Sequence, residues 1–129
     1  MSFSEEDASD QKVKEKTNEL RTKYLIFTAV VERIPVMDLK EVVSVLSLVD
    51  PVRSVLKTHA TKLSFIGEDK ELDQMVEEKI NELRTKYATL AGILERIHNM
   101  DLRETVIGLL GIDAMESLLK LRALVILAS

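Results

Sequence analysis

The sequence predicts an all-α protein made of one helical unit used twice, and three observations carry that prediction. Sliding the 129-residue chain against itself by 63 positions pairs Asp10–Ile66 with Asp73–Ser129, and 26 of those 57 pairs are identical, a self-similarity that marks a repeat architecture. Apolar residues then recur in both halves at alternating spacings of four and three, the rhythm of a helix with one buried stripe. Finally, 46% hydrophobic and 31% charged residues, with only four Gly, two Pro and no Trp, favour long helices over a turn-rich β fold.

The duplication is sharpest where Asn18-Glu19-Leu20-Arg21-Thr22-Lys23-Tyr24 returns unchanged as Asn81-Glu82-Leu83-Arg84-Thr85-Lys86-Tyr87. The chain has the length of one ordinary domain, whereas a half alone would be marginal, so the two halves are expected to share one core. Cysteine is absent, which removes disulfides, thiolate metal sites and cysteine nucleophiles together and suits a reducing compartment. The start of the chain lacks the basic stretch and apolar run of a secretory signal, and no uncharged apolar run reaches the roughly 18 residues of a spanning helix. The expectation is a cytoplasmic protein with no membrane span.

The formal charge of −4 resides in the first ten residues, which hold Glu5, Glu6, Asp7 and Asp10; the remainder balances 18 acidic against 18 basic side chains. A neutral body offers no electrostatic footprint for nucleic acid or an anionic membrane.

Residues 1–9 read as a flexible acidic arm, with Ser9 or Asp10 available to cap the first helix. Val13, Thr17, Leu20, Tyr24, Phe27, Val31 and Ile34 then form a seam that predicts one long helix, repeated as Val76, Ile80, Leu83, Tyr87, Leu90, Leu94 and Ile97. Pro35 ends the first copy and His98-Asn99 the second. Asp38 stands three residues before Glu41, and Asp101 three before Glu104, the arrangement in which cap and Glu satisfy each other's free amides. Asp50-Pro51 in one half and Asp113 with Glu116 in the other, the latter preceded by Gly111 as a helix end, predict a further kink or tight turn. Each repeat therefore reads as long helix, short helix, medium helix. The first covers 10–66, a linker covers 67–70, the second covers 71–129, and together they form one antiparallel bundle.

The halves diverge along one stripe. Ser44, Ser47, Pro51, Val55, Thr58 and Lys62 in the first correspond to Ile107, Leu110, Ala114, Leu118, Leu121 and Val125 in the second, whereas Leu39, Val43, Leu46 and Leu56 match Leu102, Val106, Leu109 and Leu119 as a shared, core-like set. Large aliphatic groups left in water forgo about 1.5–3 kcal/mol each relative to full burial, so the added stripe needs a cover. Ile107, Leu110, Leu118, Leu121 and Val125 are the candidate interface of a homodimer, with asymmetric packing inside one chain and a groove for another ligand as the alternatives. Arg21, Lys23, Arg84 and Lys86 form matched basic spots that could contact an acidic protein partner, or could simply keep the helices soluble.

Chemistry-bearing patterns are sparse. Glu95-x-x-His98 has the spacing of a di-iron ligand pair, but Pro35 replaces the histidine in the first half and no second pair exists. His59 aligns with Arg122, so no duplicated histidine site arises, and no Gly-rich phosphate loop, GxSxG or HExxH occurs. Residues 39–60 have the rhythm of a helix-turn-helix, against which the second half places an apolar, acidic segment at the would-be recognition helix. The sequence thus reads as a non-enzymatic helical interaction or scaffold module, without metal or cofactor, that self-associates through its second repeat. A nucleic-acid-binding regulator using 39–60 and a binder of lipid or an apolar ligand are the alternatives.

Overall fold

The computed structural model describes residues 5–64 and 70–129, apart from the side chains of residues 5–9 and Thr89. Every regular element among the described residues is helical: α1 (Glu5–Lys23), α2 (Thr28–Val31), α3 (Leu39–Ser64), α4 (Lys70–Lys86), α5 (Ala91–His98) and α6 (Leu102–Ala128), with short 3₁₀ turns at Leu25–Phe27, Ile34–Val36 and Ala88–Leu90. The residues read as a linker lie outside the described residues except Lys70, which opens α4. Residues 1–4 of the expected arm lie outside the described residues, and the backbone from Glu5 onward is helical.

The predicted long first helix is two elements in each half. The break falls at the duplicated tyrosine: Tyr24 sits at φ −121°, ψ 79° and Tyr87 at φ −132°, ψ 83°, each followed by a 3₁₀ turn. The turn is closed by Phe27 N–H donating to the Tyr24 carbonyl at 3.0 Å and Leu90 N–H to the Tyr87 carbonyl at 2.9 Å. A 3₁₀ turn places residues three apart on one side, and the seam step from 24 to 27 is three, so the buried stripe runs through unbroken. All seven seam residues of the first half are buried, as are six of the second, Tyr87 being half-buried. Thr17, polar within that stripe, satisfies its hydroxyl on the Val13 carbonyl at 2.8 Å.

No turn interrupts the chain after the second caps. α3 continues through Asp50-Pro51 and α6 through Gly111 and Asp113. Proline removes one helical hydrogen bond, but Val49, Val52, Val55 and Leu56 are buried on both sides of it, and Ile112, Met115, Leu118 and Leu119 do the same around Asp113. Burial of that continuous edge outweighs the local stop signals. Asp50 does not cap; its carboxylate accepts a hydrogen bond from Arg53 Nη1 at 2.6 Å. Because 39–60 is one helix, the turn that a helix-turn-helix requires does not exist there.

The chain divides into two compact units whose boundaries fall inside the two long helices. One comprises Met1–Val49 with Gly111–Ser129, the other Asp50–Leu110. In the first, α1 packs against α2 and the Ile34–Val36 turn, and Gly111 supplies a close approach. A Cβ there would lie 2.9 Å from the Tyr24 ring and 3.1 Å from Phe27, so Gly111 is a packing glycine rather than a helix end. In the second unit, α4 packs against α5 and the Ala88–Leu90 turn, and Gly108 lies against Leu56.

Candidate functional site

The start of each long helix is fixed by its cap. Asp38 Oδ1 accepts from Glu41 N–H at 2.8 Å, and Asp101 Oδ1 accepts from Glu104 N–H at 2.8 Å. The reciprocal bond forms only in the second half, where Glu104 Oε1 accepts from Asp101 N–H at 3.5 Å; Glu41 instead pairs with Arg33 at 2.6 Å. From Asp101 onward, α6 buries Thr105, Gly108 and Ile112, and Thr105 meets its hydroxyl requirement on the Asp101 carbonyl at 2.7 Å.

The opposite side of that segment is apolar and open. Leu102, Val106, Ile107 and Leu110 are 42%, 46%, 40% and 57% exposed, all within the unit Asp50–Leu110. Side chains spaced by three and four share one helix face, so these four form a continuous patch. The candidate stripe therefore divides: Ile107 and Leu110 are exposed, while Leu118 and Val125 are buried and Leu121 is half-buried within the unit that holds Gly111–Ser129. Leu102 and Val106, which read as core-like from their agreement with Leu39 and Val43, are surface residues, and so are Leu39 and Val43. Of that set, only Leu56 and Leu119 are fully buried, with Leu46 and Leu109 half-buried. Leu124 and Leu127 are also exposed; the sequence carried the signal, since Thr61 and Ser64 stand at the matching positions.

The matched basic spots meet matched acids on their own unit. Arg21 lies 3.9 Å from Glu32 and Arg84 3.8 Å from Glu95. Lys23 and Lys86 lie 5.5 Å and 5.6 Å from the ring centres of Tyr24 and Tyr87. These exposed contacts are worth little individually, but they give the retained charges a local role at the tyrosine break. Glu95 is thus engaged with Arg84, and both it and His98 are exposed. Among the described residues, no group of three or more His, Asp or Glu side chains could hold a metal ion.

His59 is buried to 1% exposure, and its Nε2 donates to the Met100 carbonyl at 2.9 Å. Nδ1, which bears the lone pair in that tautomer, is buried and unpartnered. Burial lowers the imidazole pKa from 6.5, helped by Lys62 and His98 and opposed by the Met100 carbonyl and Asp73. The aligned residue performs the same task elsewhere: Arg122 donates to the Met37 carbonyl from Nε at 3.1 Å and Nη2 at 2.9 Å. Sequence reasoning gave His59 no role, because a bond to a backbone carbonyl leaves no trace in residue types.

A cleft of about 200 Å³ in the Asp50–Leu110 unit is lined by residues including Ser54, Lys79, Glu82, Lys86 and Tyr87. Lys79 Nζ donates to Ser54 Oγ at 2.8 Å, tying α4 to α3. No described helix is long and apolar enough to cross a membrane. No family model, curated protein or solved structure matches this chain.

Proposed function

We propose that this protein is a non-enzymatic helical interaction module, descended from a duplicated unit, that forms a homodimer through the N-terminal half of α6. The observation that carries the reading is the patch Leu102, Val106, Ile107 and Leu110, four large aliphatic side chains on one helix face, each at least 40% exposed. Two of them replace serine in the other half, Ser44 and Ser47, so the face is greasier than its counterpart. Contiguous apolar surface of this kind marks an association site on a water-borne protein. A two-fold contact presents the same patch from both copies, which suits a short face on one helix.

Light scattering across a concentration series tests the reading. For protein never exposed to denaturant, the wild-type chain is expected to show a dimer that dissociates on dilution, and Ile107→Glu with Leu110→Glu to be monomeric at every concentration with an unchanged helical circular dichroism spectrum. A wild-type chain that stays monomeric at high concentration would refute the proposed dimer.

A further inference from the structure

Each compact unit takes material from both halves of the sequence. The unit containing α1 and α2 has the first part of α3 and the last part of α6; the unit containing α4 and α5 has the first part of α6 and the last part of α3. Neither 10–66 nor 71–129 supplies a complete unit by itself.

In both units the helix arriving from the other half is latched by the same device. His59 reaches the Met100 carbonyl and Arg122 the Met37 carbonyl; the donors are 63 positions apart, and so are the acceptors. An aspartate equivalent in the two halves completes each latch. Asp10 faces Arg122 at 3.7 Å, and Asp73 pairs with Lys62. Arg122 therefore does alone what His59 and Lys62 do together. Lys62 corresponds to Val125, which is buried, so the histidine-with-lysine and arginine-with-valine choices compensate each other.

We infer that the partner these latches fit is also a second copy of this chain. Residues 5–64 of one copy and 70–129 of another can complete the same two units, with the reciprocal pair completing two more, giving an exchanged dimer. The contacts within each completed unit are the ones the single chain already makes, so the exchange needs no new complementary surface. This association does not use the apolar α6 patch.

The full-length chain is unfolded in denaturant and refolded over a range of protein concentrations, then sized by chromatography with light scattering. A species of twice 14.6 kDa is expected to grow with refolding concentration and, unlike a surface dimer, to persist on dilution and in Ile107→Glu with Leu110→Glu. Latch specificity is read by co-refolding Asp10→Lys chains with Arg122→Asp chains. Each alone places like charges at Asp10 and Arg122, whereas the exchanged mixed dimer restores opposite charges at one latch and the native pair at the other. The mixed dimer is expected at about fivefold or more over either homodimer, since two partly exposed pairs at up to about 1 kcal/mol each separate them. The same cross between Lys62→Asp and Asp73→Lys chains checks the second latch, and failure of any single variant to fold alone leaves the mixtures informative. A refolded wild type that is monomeric at every concentration, or mixtures that yield no excess of mixed dimer at either latch, would overturn the inference.

Discussion

His59 and Arg122 occupy equivalent positions and hold equivalent carbonyls, yet only one of them answers to pH. An arginine stays charged throughout. The buried imidazole is stabilised in its neutral form, with a pKa below 6.5, and its neighbours divide in sign: Lys62 and His98 oppose protonation, Asp73 favours it. A group whose folded pKa is depressed contributes stability that is fully present above its unfolded pKa and is lost as pH falls through the folded value. The native protein is therefore expected to lose stability as pH drops below about 6.5. Thermal unfolding of wild type and His59→Gln across pH 5 to 8 isolates the histidine contribution, because glutamine retains an N–H donor but does not titrate. The wild-type melting temperature should fall more steeply toward pH 5 than that of the variant; parallel curves would show that His59 does not titrate in the fold.

At the scale of helices, packing decides where local preference and burial disagree. The seam Val13 to Ile34 and its copy were legible because a stripe with steps of four and three survives a 3₁₀ turn, and for the same reason the turn at Tyr24 was not. Pro51 and Asp113 carried real stop signals, which the buried residues flanking them override. Gly111 and Gly92 separate the two influences. Both lie within helices, and alanine is the better helix former by about 0.5–1 kcal/mol. A Cβ at Gly92 meets nothing within 4 Å, whereas one at Gly111 meets the Tyr24 ring at 2.9 Å; overfilling a packed site costs about 1–3 kcal/mol. Gly92→Ala should raise folding stability, and Gly111→Ala should lower it by about 1 kcal/mol net, both read by denaturant unfolding. If both substitutions were stabilising, close packing at Gly111 would not be limiting.

For the molecule as a whole, the sequence could report that one half had become greasier along a stripe but not which part of that stripe the fold would cover. Periodicity places residues on a face; what lies against the face depends on chain reaching it from far along the sequence. Here the units are cut within α3 and α6, so one apolar stripe serves two purposes. Leu118, at 1% exposure, belongs to a core, and Leu110, at 57%, belongs to a surface. Truncation tells them apart: Leu118→Ala removes a buried side chain and should cost about 2–5 kcal/mol of folding stability. Leu110→Ala, away from the core, should change monomer stability by no more than about 0.5 kcal/mol while weakening the proposed dimer. Denaturant unfolding at low protein concentration, paired with light scattering at high concentration, measures both quantities on the same two variants. Equal destabilisation by the two substitutions would mean that the α6 face is buried along its whole length, and the surface reading of Leu102, Val106, Ile107 and Leu110 would fall with it.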